Sequence, residues 1–387
     1  MSRRRGGTTE GRDEGPVHAT CEVIARRREG AYWLLSVAAR EIAERAQPGQ
    51  FVQVAVETPH TLLRRPFSIA HVSRRGASAG TVDVVFDAHG PGTEWLTTVE
   101  AHDVLDLVGP LGTPFPLPQR KVNCLLVGGG YGVAPLYYLA DSLRRRGLRV
   151  DMINGAATAD RILGTIEAKR VSASVTFTTE DGSYGTKGRV TDVFEQVASA
   201  SRSGLVYACG PNPMLRAVSE LSAELGLTVR VAVEERMACG IGVCFTCVVP
   251  IVGGDGFVRN KRACLDGPVF NGRRIAWDQW GVAGGGPRPR TDGEEGAPGA
   301  SAGGAVGTAG AAGAAEAAGP AEAAGPAEAA GPAEAAGAPP ADPVPLAVEA
   351  PPPDRPAEGA SGRLVFDADA EDEVAPPPVE EQRRGRP

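Results

Sequence analysis

Four cysteines, Cys239, Cys244, Cys247 and Cys264, stand as Cys-x4-Cys-x2-Cys with a fourth cysteine downstream. That spacing is the plant-type arrangement for a [2Fe-2S] cluster, in which four thiolates hold two irons. The loop between the first two, Gly240-Ile241-Gly242-Val243, carries glycines, which let backbone amides approach the sulfurs with no side chain in the way. One-electron transfer is the chemistry this implies. A structural zinc site competes with it, since four thiolates also suit tetrahedral zinc. Such sites usually present two Cys-x2-Cys knuckles, and only Cys244 and Cys247 make one here. A disulfide framework fits less well. Seven cysteines are an odd number, and Met1-Ser2-Arg3-Arg4-Arg5-Gly6-Gly7 has no apolar stretch behind it to serve as a signal peptide. Reduced thiols in a cytoplasm are the expectation.

Three further stretches have chemistry-bearing residues at short spacing. Gly128-Gly129-Gly130-Tyr131-Gly132 follows an apolar run; a glycine turn between strand and helix aims backbone N–H groups at a helix mouth that favours phosphate. Alone it is a weak signal, because it is not G-x-G-x-x-G and glycines also serve simply to form a tight turn. Cys209-Gly210-Pro211-Asn212-Pro213-Met214-Leu215 is a second such turn, and two turns at the carboxyl ends of strands in one sheet outline a crevice. Arg64-Arg65-Pro66-Phe67-Ser68-Ile69 combines a cation, an aromatic ring and a hydroxyl, suited to phosphate, stacking and hydrogen bonding. Gly90-Pro91-Gly92-Thr93 adds a small-residue loop able to lie against a pyrophosphate. The structural alternatives are an exposed strand end for the arginines and a core ring for Phe67. Cys124 reads as a small core residue. The histidines His18, His60, His71, His89 and His102 show no metal-ligand spacing, and no paired general base stands out.

The elements that must position these residues fall into three sections. Residues 17–118 hold short runs rich in β-branched residues, such as Phe51-Val52-Gln53-Val54-Ala55-Val56, Thr81-Val82-Asp83-Val84-Val85-Phe86 and Val104-Leu105-Asp106-Leu107-Val108, punctuated by Gly-Pro turns. That pattern predicts an antiparallel β-barrel or sandwich. Residues 119–228 change character. Val122-Asn123-Cys124-Leu125-Leu126-Val127 reads as a strand buried on both faces, followed by glycine turn, helix and a strand near 149–153. This is a βαβ unit of a doubly wound nucleotide-binding α/β domain, with further strands near 175–178 and 205–209 and an end near Leu227. Residues 229–281 form the cysteine segment.

Composition bounds the rest. From about Val282 the chain is Ala, Gly, Pro and Glu, with the hexad Gly-Pro-Ala-Glu-Ala-Ala starting at Gly319, Gly325 and Gly331. A Gly-Pro pair every six residues stops any helix before it offsets its nucleation cost, so residues 282–387, like 1–16, are expected to be disordered or flexible. Leu364-Val365-Phe366 could be a short docking motif or simply part of that tail. The net charge of −7 and pI near 5.5, with no concentrated basic stripe, do not suggest nucleic-acid binding. No apolar run reaches the roughly 18 residues of a membrane span.

Taken in order, Arg65-Pro66-Phe67-Ser68, Gly90-Pro91-Gly92-Thr93, Gly109-Pro110-Leu111-Gly112, the turn from Gly128 to Leu136, Cys209-Gly210-Pro211-Asn212-Pro213-Met214-Leu215 and the four cysteines resemble the ferredoxin-reductase-like electron-transfer proteins. Met237-Ala238-Cys239-Gly240-Ile241-Gly242 and Asp266-Gly267-Pro268-Val269-Phe270 are most similar to the electron-transfer subunits of type 1B dihydroorotate dehydrogenase. The resemblance covers about 17–280. It implies an oxidoreductase subunit that passes electrons from an FMN-containing catalytic subunit, through [2Fe-2S] and FAD, to NAD⁺ in UMP biosynthesis, in a heterotetramer of two of each subunit. It further implies that Arg65 contacts FAD phosphate, Phe67 lies against the flavin and Ser68 faces its redox-active edge, with Pro66 between them. Gly92 and Thr93 would hold the pyrophosphate. Gly128, Gly129, Gly130 and Gly132, with Cys209, Gly210 and Pro211, would border the nicotinamide nucleotide, and the four cysteines would hold the cluster. Pro91 stands where the family often has lysine, so a charge near the diphosphate is missing. Reductase subunits serving a hydrogenase or a ferredoxin share these motifs, and a zinc-bearing interaction module is the alternative outside enzymes. Asn154 to Ala157, Asp160 and Arg161 leave NAD and NADP open.

Overall fold

The computed structural model describes residues 15–280, apart from 59–60, 75 and 77–78. The expectations for residues 1–14 and for the tail, its repeat and Leu364 motif included, fall outside the described residues.

Six strands, β1 (Val17–Glu29), β2 (Tyr32–Ala38), β3 (Phe51–Val54), β4 (Arg65–Ser73), β5 (Thr81–Phe86) and β6 (Val104–Leu111), pair antiparallel and close into a barrel in the order β1-β2-β5-β4-β3-β6. Alternation decides which residues fill it: Cys21 and Val23, Val82, Val84 and Phe86, and Leu105 and Leu107 are two apart and share the interior. Closure removes the exposed strand edges that a sandwich would keep. Two short helices, α1 (Arg40–Arg45) and α2 (Pro91–Leu96), cover the barrel. Pro91 occupies the start of α2, where its missing N–H would have had no partner.

The second section alternates strand and helix through β7 (Cys124–Gly129), α3 (Ala134–Arg145), β8 (Val150–Ala156), α4 (Thr165–Val171), β9 (Ser174–Thr179), β10 (Thr186–Lys187), α5 (Val190–Ser201), β11 (Leu205–Cys209), α6 (Asn212–Glu224) and β12 (Thr228–Ala232). Three short strands follow: β13 (Val248–Val252) and β14 (Val258–Arg262), which form a hairpin, and β15 (Val269–Asn271). The sheet runs β10-β9-β8-β7-β11-β12-β15, parallel except that β15 adds antiparallel to β12. It therefore continues past the expected end at Leu227, and the cysteine segment supplies its edge strand.

Specific side chains lock these parts together. Tyr138 of α3 is buried in the barrel core and donates to the Ala46 carbonyl at 2.8 Å. Tyr207 of β11 donates to the Pro116 carbonyl at 2.6 Å. Cys247, Val249, Ala263 and Cys264 share one core with β7, β11 and β12, and with Phe51 of the barrel. No helix among the described residues is long and apolar enough to cross a membrane.

Candidate functional site

A cleft of about 1130 Å³ opens between the barrel and the carboxyl ends of the parallel strands. Such a crevice at a switch in strand order is where open α/β sheets take ligands. Arg65, Pro66, Phe67, Ser68 and Thr93 line its barrel wall, and Gly129, Gly130, Gly132, Cys209, Gly210 and Pro211 line the opposite one. Gly92 and Gly128 are not in the wall. Gly92 packs under the Arg65 guanidinium and Gly128 against Val133, so each shapes the surface from behind.

The barrel wall offers charge and an aromatic edge. Arg64 is committed to Asp106 at 2.8 Å. Arg65 donates to the Leu63 carbonyl at 2.7 Å and has no ion pair among the described residues, which leaves its charge available to an anion. Phe67 belongs to the barrel core, tilted on Phe86 with ring centroids 5.6 Å apart, and still shows part of its surface to the cleft. The core and cleft readings of this residue therefore hold together. Ser68 is exposed. Thr93 accepts from the His89 amide at 3.1 Å and donates to the Gly90 carbonyl, which pins the loop entering α2.

Backbone approach builds the opposite wall. A Cβ on Gly132 would lie 2.6 Å from the Gly210 Cα, so the turns after β7 and β11 can touch only because both are glycine. Cys209 sits at the base of this contact, its thiol pushed up to about 12 by burial and next by the Glu234 charge. It is a neutral, compact group at neutral pH. Tyr131 donates to Glu234 at 3.2 Å, and burial followed by the same carboxylate raises its phenol.

Arg161, already noted in the sequence beside Asp160, is joined in the cleft by residues that sequence reasoning did not single out. Arg161 binds Asp87 at 3.2 Å and sits over the Tyr32 ring, joining sheet to barrel. Thr178 is fully buried with an unpartnered hydroxyl, and the Asn212 amide oxygen also lacks a partner among the described residues. Both residues line the cleft. A polar ligand would satisfy them. Asn212 lies inside a motif already noted, whereas Tyr32, Thr178 and Glu234 carry no local signal, because only strand pairing brings them to the site.

The cysteine loop lies between β12 and β13, and Gly240, Gly242 and Phe245 take positive φ of 71°, 84° and 56°. Cys247 and Cys264 are buried, Cys239 is partly covered and Cys244 is exposed. The Cys244 amide points at the Cys239 sulfur, 3.5 Å away, and Cys247 lies near enough to Cys264 to raise its thiol. Among the described residues no three His, Cys, Asp or Glu side chains converge on one mononuclear position. Four cysteines in this spacing suit a [2Fe-2S] cluster. Hydrogen bonds, first from the Thr246 hydroxyl and then with Cys239, hold the Cys244 thiol low at about 6, whereas burial and then Cys247 push Cys264 up to about 12. Ligation requires thiolates, so loading would release protons, chiefly from the buried end. Arg262 braces the loop, donating to the Gly242 carbonyl at 2.9 Å and to Asp266.

One more side chain touches this loop. Gln53 of β3 is fully buried, and neither its amide nitrogen nor its oxygen has a partner among the described residues. Each such unpaired group costs about 1–3 kcal/mol.

With this geometry in hand, comparison with known proteins is informative. The family described as the iron-sulfur cluster binding domain of dihydroorotate dehydrogenase B matches residues 234–276, and the oxidoreductase NAD-binding domain matches 126–220. The chain is 40% identical over 244 residues to the dihydroorotate dehydrogenase B (NAD(+)) electron transfer subunit of Geobacillus kaustophilus, covering 62% of this chain and 91% of that one. The chain belongs to this family of electron transfer subunits. The subunit from Desulforamulus reducens is 38% identical, again over 62% of this chain and 90% of its own length. Among solved structures, the NADH-dependent reduced ferredoxin-NADP oxidoreductase superposes with a TM-score of 0.60 at 30% identity, covering 67% of this chain and 91% of that one. The family expected from the ordered motifs is therefore the one found, and an iron-sulfur and an NAD-binding domain are both present.

Proposed function

We propose that this chain is the electron-transfer subunit of a dihydroorotate dehydrogenase, taking electrons from an FMN-bearing catalytic subunit and delivering them to NAD⁺ in UMP synthesis. The observation that carries the reading is a dinucleotide-sized cleft together with a four-cysteine loop, in a chain 40% identical to subunits of that name. When bound, FAD supplies the conversion between the single electrons of a [2Fe-2S] cluster and the electron pair that NAD⁺ takes up.

The residues support this in distinct ways. Arg65, free of any acidic partner among the described residues, holds the flavin diphosphate beside the Gly92–Thr93 turn. Phe67 and Pro66 exclude water along the ring, and Ser68 offers a hydroxyl at its edge. On the opposite wall, Gly129, Gly130, Gly132 and the Cys209–Pro211 turn allow a nicotinamide nucleotide close to the backbone. A neutral Cys209 leaves room and adds no charge. Thr178 and Asn212 supply hydrogen bonds that are otherwise unmade. For the nucleotide itself, the cleft carries two acid–base pairs, Arg161 with Asp87 at 3.2 Å and Arg189 with Glu180 at 3.4 Å. A carboxylate suits a free ribose hydroxyl and an arginine a 2′-phosphate; with both present, NAD is supported by the family of NAD(+)-linked subunits.

Cys239, Cys244, Cys247 and Cys264 hold the cluster. Its rim is apolar and exposed: Ile241, Val243, Phe245 and Leu265 surround Cys244. Large exposed apolar groups clustered in this way mark a partner surface, which supports docking of the catalytic subunit here, within a heterotetramer of two of each chain. The test is dihydroorotate-dependent NAD⁺ reduction by the full chain co-expressed anaerobically with the catalytic subunit of the same genome. Activity is expected only with both chains together. Bound flavin and cluster without activity would move the electron donor elsewhere.

A further inference from the structure

Gln53 sits between the two redox sites. Its strand neighbours Val52 and Val54 fill the barrel core, while Phe51, two residues away, packs with Cys247 and Cys264. Gln53 therefore points outward with Phe51, toward the cysteine segment. Its partner across β4 is Pro66, which lines the cleft and has no N–H to give. On the other side Gly240 presses on the carboxamide: a Cβ there would lie 2.7 Å from Gln53 Cγ and 2.9 Å from Cδ, and Gly240 holds a φ of 71°. Any side chain at 240 would displace the amide. This fully buried carboxamide, with no partner on nitrogen or oxygen among the described residues, packs on Gly240, the residue that follows Cys239.

We infer that Gln53 is a positioning residue of the iron-sulfur centre, its Nε2 group donating a hydrogen bond to sulfur at the Cys239 end and so setting the cluster's reduction potential. The inference rests on the four cysteines being the ligands. Donors to cluster sulfur favour the reduced, more negative state, so their removal lowers the potential. Placed between cleft and loop, Gln53 makes the barrel wall part of the cluster's electrostatic surroundings. A side chain of the flavin-binding barrel then tunes the cluster-binding segment alone.

The test uses the full chain, purified anaerobically, with Gln53→Leu, Gln53→Glu and Gln53→His. Leucine removes donor and acceptor, glutamate keeps the shape and loses the donor, and histidine keeps an N–H. The readouts are iron and flavin content and an EPR-monitored redox titration. Leucine and glutamate variants with full iron and flavin are expected to show a lower cluster potential, by about tenfold in the reduction equilibrium (about 59 mV for one electron). The flavin potential should stay put and the histidine variant should lie near the parent. An unchanged cluster potential in the leucine and glutamate variants, with iron retained, overturns the inference, as does a shift confined to the flavin. Should the leucine variant fail to fold, the glutamate and histidine pair decides the matter alone. A parent chain with no [2Fe-2S] signal would instead remove the ligand assignment itself.

Discussion

At the scale of single residues, the cysteine loop combines two unlike environments within one ligand set. Cys244 is exposed and its thiol is held at about 6, whereas Cys264 is buried and pushed up to about 12. The hydrogen bonds at Cys244 thus favour its thiolate, whereas burial favours the protonated form of Cys264, which must lose its proton on loading. Replacing Cys244 by serine keeps the size but substitutes an alcohol that does not ionise near neutrality, and the ligand at the accessible end is lost. Cys244→Ser is expected to abolish the visible absorption of the cluster and its EPR signal while leaving flavin content at the parent level, since Cys244 does not line the cleft. Full cluster absorption in that variant would show that Cys244 is not a ligand. Flavin loss alongside the cluster would mean that the loop and the barrel wall fold as one unit.

At the scale of elements, the site depends on how closely the turns after β7 and β11 approach. Gly132 faces the Gly210 Cα so tightly that a methyl group would sit 2.6 Å from it. Gly132→Ala should separate the two turns at a cost of about 1–3 kcal/mol. NADH affinity is expected to fall at least tenfold by fluorescence titration while flavin stays bound, because the barrel wall is untouched. Parent-like affinity would show that the two turns do not form the nicotinamide site. Both turns were legible in the sequence because each sits next to an apolar run that can only be a buried strand, Leu125-Leu126-Val127 and Leu205-Val206-Tyr207. Other elements were not legible for physical reasons. β10 is two residues long and carries no period, and β15 reaches the sheet from the cysteine segment. Gln53 reads as the polar member of an alternating strand, and polar normally means solvent. It is buried only because a loop nearly two hundred positions later covers that face, and such long-range pairing leaves no local trace. Thr178 and Glu234 escape notice for the same reason.

At the scale of the whole molecule, electrons must enter through a surface, and the structure has a distinctive one. Val243 is 73% exposed and Phe245 59%, on either side of Cys244, with Ile241 and Leu265 beside them. The loop's positive-φ positions and the Arg262 brace hold these side chains outward without any help from a partner. In water that arrangement leaves apolar area exposed, and burying it against a complementary face recovers about 25 cal/mol per Å². Introducing a carboxylate at its centre would force a charge out of water on docking, at a cost of several kcal/mol after relaxation. Val243→Glu is therefore expected to weaken association with the catalytic subunit by at least tenfold, about 1.4 kcal/mol. It should depress dihydroorotate-dependent NAD⁺ reduction at limiting subunit concentration. The side chain meets solvent in the isolated chain, so iron content, flavin content and NADH oxidation by an artificial acceptor should remain at parent levels. That contrast separates docking from cofactor loss, because damage to the cluster would lower iron content together with the coupled rate. A variant that assembles and turns over dihydroorotate as the parent does would place the electron donor against a different face of the molecule.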